Sequence, residues 1–150
     1  MSQHAEPAVA DQLTLDVVDL MATLVSAFHK EYEEAAGARS LTGAQAKVLA
    51  LLRRGPMPMR RIAHTMSCEP SNITGIVDRL EARGLVERRP DPEDRRVKLV
   101  AATDAGAAAA AELRGSLSFA REPLAALSPE ERVQLRGLLR RMAERANGEG

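Results

Sequence analysis

Tryptophan is absent from this sequence, and its aromatics amount to one tyrosine and two phenylalanines. A core must therefore be built from Leu, Val, Ile, Ala and Met. A single cysteine, Cys68, allows no internal disulfide, and a reducing cytoplasm is the simplest home for it. No run of about 18 apolar residues occurs, so no membrane-spanning helix is expected. The start, MSQHAEPAVADQ, lacks the basic residues and apolar stretch of a secretory signal. The histidines, His4, His29 and His64, are scattered, and no His/Cys/Asp/Glu cluster has metal-ligand spacing. There is no phosphate-cradling glycine loop, nucleophile elbow or acid–base pair. No catalysis, metal or cofactor is expected.

Net charge is missing too, since 21 basic residues balance 21 acidic ones. The distribution is uneven. Residues 1–52 hold three Lys/Arg and seven Asp/Glu, residues 53–100 hold eleven and seven, and residues 101–150 hold seven of each. Phosphate attraction is local, screened over about 8 Å at physiological salt, so one basic segment suffices for a nucleic-acid binder. At 150 residues the chain suits one domain with a substantial core.

The stretch from Pro58 to Thr103 carries the pattern around which the rest is arranged. Ile62, Ala63 and Met66 predict one apolar face on a short helix from Met59 to about Met66. Ser67-Cys68-Glu69-Pro70 breaks the period. A second helix is expected to start near Pro70 or Ser71, with proline suited to the first helical position and Ser or Asn suited to capping. Its apolar stripe is Ile73, Ile76, Val77 and Leu80, and Gly84 supplies a left-handed stop. Two helices joined by so short a turn form a helix-turn-helix unit, whose second helix can lie in a DNA major groove. Strands are expected from Leu85 to Arg89 and from Arg96 to Ala101, joined by a Pro- and Asp-rich turn from Pro90 to Asp94. Val97, Leu99 and Ala101 alternate with Lys98 and Val100, which predicts a half-buried strand. The product is a β-hairpin, or wing, carrying Arg95 and Arg96.

The flanks are helical. Leu13, Val17, Leu20, Met21, Leu24, Val25, Phe28 and Tyr32 recur at steps of three and four, predicting a long helix from Asp11 to about Ala36 after a frayed tail over residues 1–10. Thr42 and Gln45 form a capping box for a helix running to Arg54. Thr103-Asp104 caps an Ala-rich helix that Pro123 is expected to bend or interrupt. Ser128 to Glu131 is a second capping box, and the final helix is expected to end near Asn147. The stripes of the first and last two helices lack an obvious partner within the winged unit. Pairing with a second copy is the economical solution.

The run S-N-I-T-x-x-V-D-R-L-E-x-R-G-L-V-x-R, followed by D-P-E-D-R-R-x-K-L-x-x-x-T, resembles the MarR (multiple antibiotic resistance regulator) family of winged helix-turn-helix transcription factors. These motifs cover about a third of the chain. Ala102 departs from the pattern, which has a larger apolar residue before the threonine. The expected fold is mainly α with a small β-hairpin wing (α+β), in one domain. The winged helix-turn-helix spans residues 41–102, and residues 11–36 and 103–147 supply an all-helical dimerisation region. The resemblance implies a homodimer joined by the first and last two helices, acting most often as a repressor on a pseudo-palindromic operator. It also implies a wing arginine entering the minor groove, with Arg95 as the inserting residue and Asp94 as its brace. A small aromatic or phenolic ligand would sit between the dimerisation and DNA-binding parts.

Candidate DNA contacts follow. Ser71, Asn72, Thr74 and Gly75 lie in the first turns of the recognition helix, where small polar groups can approach phosphates and base edges. Ser71 or Asn72 capping the helix is the plainer alternative. Arg79 can reach DNA or pair with a neighbouring acid. Arg95 and Arg96 suit an electronegative minor groove, with a solvated hairpin tip as the alternative. Arg60, Arg61, Arg88, Arg89 and Lys98 are generic phosphate candidates, with a solvated surface charge as the equal alternative for each. Phe28, His29 and Tyr32 face either a ligand pocket or core and dimer packing. Two rival readings remain: a winged-helix protein-interaction module, and an oxidant-sensing regulator working through Cys68. Cys68 falls where such turns bury a small apolar residue.

Overall fold

The computed structural model describes residues 11–118, 121–146 and 148. The tail expected over residues 1–10, with His4, and the helix end expected at Asn147 lie outside the described residues. Helix α1 spans Gln12–Gly37 and is capped by Asp11, whose carboxylate accepts the Thr14 amide at 2.7 Å. Its C-terminal end enters the core through Tyr32 and Ala36. Its N-terminal two thirds do not: Leu13 is 72 % exposed and Phe28 38 %, with Leu20, Leu24 and Val25 also open.

Helix α2 (Gly43–Leu52) opens with the expected capping box. The Gln45 amide donates to Thr42 Oγ1 at 3.1 Å, and Gln45 Oε1 accepts the Thr42 amide at 3.1 Å. Val48, Leu49 and Leu52 fill the core centre. The chain then forms strand β1 (Met57–Pro58), helix α3 (Met59–Thr65) and helix α4 (Pro70–Ala82). Strand β1 has no signature in the sequence, because two residues ending in proline cannot display a period. Ile73, Val77 and Leu80 of α4 are fully buried. At 100° per residue these three fall within about 60° of the helix circumference. Gly84 then takes φ 70°, the left-handed value expected of it.

Strands β2 (Val86–Pro90) and β3 (Lys98–Ala102) pair antiparallel from Val86↔Ala102 to Pro90↔Lys98, and β1 joins the other side of β3, giving the order β1-β3-β2. The expected alternation in the second strand is corrected here: Val100, placed on the outer face by the sequence, is 0 % exposed, and Leu99 is only half-buried. The cause is that β3 is central. Met57 lies opposite Val100 on the unforeseen β1, and α2, α3 and α5 all pack on β3, so its consecutive residues Val100 and Ala101 are both buried.

Helix α5 (Asp104–Ser116) is capped by Thr103, whose hydroxyl accepts the Gly106 amide at 3.1 Å and donates to the Gly84 carbonyl at 2.6 Å. A Cβ on Gly106 would lie 1.9 Å from the Leu85 carbonyl oxygen, so α5 meets the root of the wing backbone to backbone. The break expected at Pro123 falls earlier. Helix α5 ends at Ser116, Leu117 is extended, and Pro123 instead lies in the first turn of the short helix α6 (Glu122–Ala125), where its fixed φ is favourable. Glu31 of α1 secures the break by accepting both the amide and the hydroxyl of Ser118. Helix α7 (Pro129–Ala146) starts with the Ser128–Glu131 box, and its Val133, Leu138, Leu139 and Met142 are exposed. Among the described residues no helix is long and apolar enough to cross a membrane.

Candidate nucleic-acid interface

Burial of one face of α4 presents the other to solvent. Ser71, Asn72, Thr74 and Arg79 are exposed, and Gly75 is half-buried with open space where a Cβ would stand. The alternative reading of Ser71 and Asn72 as caps does not hold. Glu69 is the capping position and makes no side-chain cap bond, while Pro70 occupies the first turn. Proline needs no partner for an amide hydrogen, so the entry is sound without a polar cap. That leaves the Ser71 and Asn72 side chains without protein partners among the described residues, within the first turn at the positive end of the helix dipole. Thr74 commits its hydroxyl hydrogen to the Pro70 carbonyl at 3.1 Å. Arg79 forms no side-chain hydrogen bond or ion pair among the described residues. The adjacent acid, Asp78, is engaged elsewhere, so the alternative of pairing with a neighbouring acid is not realised among the described residues.

Asp78 binds Arg88. One Arg88 nitrogen lies 2.5 Å from Asp78 Oδ1, another 2.8 Å from Glu81 Oε1, and the Arg88 amide donates to Glu81 Oε2 at 3.2 Å. Asp78 and Glu81 are three apart and share a helix face. The hydrogen bond to Asp78 is the largest influence raising Arg88 above its ordinary pKa, against a smaller opposing effect of burial. Arg88, one of the generic phosphate candidates, is instead engaged within the protein, where it ties the recognition helix to the wing. The signal was in the sequence, in two acids at helical spacing followed by an arginine on the next strand.

The wing turn is organised by two aspartates. Asp91 accepts the Glu93 amide at 2.9 Å, and Asp94 accepts the Arg96 amide at 3.1 Å with Arg96 Nε 4.0 Å away. Asp94 thus fixes the backbone of the turn at Arg96 and stands at the edge of ion-pair distance from its side chain, whereas the resemblance implies a brace on Arg95. A carboxylate that satisfies the amide two residues on is drawn toward that residue's side of the turn. Arg95 is exposed without a partner among the described residues, and the Arg96 side chain is 95 % exposed. Arg60, Arg61 and Lys98 are exposed on α3 and β3, while Arg89 lies 3.8 Å from Glu87.

A second feature lies behind the helix-turn-helix. Phe28 and Tyr32 of α1 face Lys47 and Leu51 of α2 and Met66 and Cys68 of the turn across a cleft of about 590 Å³. His29 is not part of its wall; it lies 3.7 Å from Glu33. Tyr32 is 6 % exposed, and its hydroxyl has no hydrogen-bond partner among the described residues. Burial, with a smaller push from the Glu33 carboxylate, raises its pKa, so the hydroxyl stays protonated as a donor. Cys68 is half-buried against the core, and its thiol donates to the Met66 carbonyl at 3.3 Å. Among the described residues no group of three or more His, Cys, Asp or Glu is placed to hold a metal ion.

Comparison with known proteins gives a consistent result. The family model described as MarR family matches residues 41–98. The HTH-type transcriptional repressor MdtR of Bacillus subtilis is 32% identical over 139 residues, 91% of this chain and 90% of that protein. Among solved structures, a MarR mutant from Escherichia coli complexed with operator DNA superposes with TM-score 0.67 at 25% identity, covering 89% of this chain and 99% of that one. CouR from Rhodococcus jostii, bound to p-coumaroyl-CoA, superposes with TM-score 0.72 at 31% identity, covering 89% and 96%.

Proposed function

The chain belongs to the MarR family of winged helix-turn-helix transcriptional regulators, and on that premise we propose that it is a homodimeric repressor of a pseudo-palindromic operator, released by a small organic ligand. The observation that carries the DNA reading is α4 itself. Its inner stripe is fully buried, its outer face offers small polar groups, and Arg88 fixes it to a hairpin whose Arg95 is unpaired among the described residues. In this reading Ser71, Asn72, Thr74, Gly75 and Arg79 meet the major groove. Arg95, with Arg96 fixed at its backbone by Asp94, meets the adjacent minor groove. Small residues at the tip of α4 let the backbone approach the base edges. The relative bound to operator DNA supports this docking.

The homodimer follows from unpartnered apolar surface. Leu13, Val17, Leu20 and Leu24 of α1 and Val133, Leu138, Leu139 and Met142 of α7 are exposed on helices at the two ends of the chain. An apolar area of this extent is rare on a monomer and typical of an interface. The ligand reading rests on the cleft. The Tyr32 hydroxyl is a buried donor without an acceptor among the described residues, the Phe28 ring lies 5.7 Å from the Tyr32 ring, and Lys47 offers a cation at the rim. A small aromatic or phenolic acid satisfies all three, and the p-coumaroyl-CoA complex of CouR supports this chemistry. Bound there, it wedges between α1 and the helix-turn-helix. It releases DNA to the extent that it binds better to the dimer shape that does not fit the operator.

Gel-shift titration on the DNA flanking the protein's own gene, at two salt concentrations with competitor DNA, tests the reading. A saturable, competitor-resistant complex that weakens steeply with salt is expected. Binding that competitor abolishes at both salts refutes sequence-specific recognition.

A further inference from the structure

The recognition helix is held at its C-terminal end by contacts that have no part in DNA chemistry. Arg83, the residue that caps α4, directs one guanidinium nitrogen to the Ser40 carbonyl at 2.5 Å and the other to the Arg39 carbonyl at 3.2 Å. Ser40 stands at φ 55°, in the left-handed region, inside the tight turn between α1 and α2. Arg39 continues the chain of contacts. Its side chain donates to the Ala35 carbonyl at 3.0 Å and to the Glu112 carbonyl of α5 at 3.2 Å, with its Nε 3.8 Å from the Glu112 carboxylate. The Arg39 guanidinium therefore lies on the last turn of α1 and reaches out to α5, while Arg83 arrives from the recognition helix to grip the turn just beyond it.

We propose that Arg83 is a positioning residue that sets the angle of the recognition helix against the dimerisation helices, and with it the half-site spacing the protein accepts. The inference rests on the dimeric repressor reading above. The lever is long. Asn72 lies eleven residues from Arg83, about 17 Å along the helix. A pivot of about 10° at the Arg83 end moves the Asn72 tip about 3 Å, close to the 3.4 Å rise of one base pair. Twofold symmetry applies the same displacement in both protomers. The Arg88 clamp does not resist such a pivot, because it joins α4 to the wing and the two move together. The Arg83 contacts do, because the turn they grip is continuous with α1. Arg39 carries the same restraint to α5, so either dimerisation helix can transmit a ligand-driven shift to the DNA-reading face.

The test uses the full-length protein and an operator selected from a random DNA pool, remade with one base pair added or removed between the half-sites. Wild-type protein is expected to bind each altered spacing at least tenfold more weakly than the selected one. Arg83→Ala is expected to bind all three within about threefold of one another, with unchanged circular dichroism. Arg83→Lys, whose ammonium can reach one carbonyl, is expected to fall between. An Arg83→Ala protein that keeps the wild-type spacing ratio overturns the inference and leaves the repressor reading standing. If Arg83→Ala does not fold, Arg83→Lys decides: a wild-type ratio in it overturns the inference. Wild-type protein from which no operator can be selected overturns the repressor reading, and this inference falls with it.

Discussion

Gly106→Ala should destabilise the protein, although alanine is the better helix former by about 1 kcal/mol. Gly106 sits in the first turn of α5, and an added Cβ would stand 1.9 Å from the Leu85 carbonyl oxygen and 3.3 Å from Leu49 Cδ2. The oxygen is backbone and cannot rotate away. Relief requires α5 to withdraw by more than 1 Å from the wing root, a distance estimated from ordinary van der Waals contact. That withdrawal strains the bond from the Thr103 amide to the Leu85 carbonyl (3.1 Å) and the Thr103 cap on Gly106 (3.1 Å). Overpacking costs about 1–3 kcal/mol, and a weakened cap about 1 kcal/mol more. Against the propensity gain, the net loss is about 2 kcal/mol. Gly75→Ala supplies the opposite sign. Nothing lies within 4 Å of its Cβ position, so it should gain up to about 1 kcal/mol. Urea unfolding of both variants at one fixed protomer concentration measures the contrast. A Gly106→Ala protein as stable as wild type would refute the close approach of α5 to the wing.

Other outcomes follow from the same contacts. Gly75→Ala, though more stable, should bind operator more weakly, because its new methyl stands on the face proposed to meet DNA; anisotropy titration with labelled operator reads this. Arg95→Ala should lower operator affinity about tenfold and reduce the salt slope by about one, with unfolding unchanged, since a hairpin tip buries little. Arg88→Met should cost about 1 kcal/mol of stability, a figure discounted because Asp78 and Glu81 are both more than a third exposed, and should lower DNA affinity by freeing the wing. Tyr32→Phe should stabilise the ligand-free protein by about 1 kcal/mol, because it removes a buried hydroxyl that has no partner among the described residues. The same variant should weaken phenolic-acid binding measured by calorimetry. Peroxide should leave DNA binding alike in wild type and Cys68→Ser; release confined to the wild type would restore the oxidant-sensor reading.

Much of the architecture was legible because local chemistry dictates it. The Thr42–Gln45 and Ser128–Glu131 boxes, the Asp11 start and the Gly84 stop each lie within a few residues of the element they bound. What escaped depends on distant partners. Strand β1 exists only because β3 offers it an edge, and Val100 is buried only because β3 is thereby central. The break after Ser116 is held by Glu31, 87 residues away from Ser118, whereas the proline that seemed to cause it merely begins α6. The candidate interface divides in the same way. The exposure of Ser71, Asn72 and Thr74 follows from the apolar stripe on their own helix. The roles of Arg88 and Arg83 needed a second element to show which side chains are occupied, and the pairing of Asp94 with Arg96 was decided by the turn geometry.

Hydroxyl-radical footprinting of the wild-type protein on DNA beside its own gene tests the central claim most directly. The account predicts protection at two half-sites about one helical turn apart. Minor-groove protection flanking each should be lost in Arg95→Ala. Continuous, unphased protection, or none at concentrations where the protein is dimeric, would contradict it.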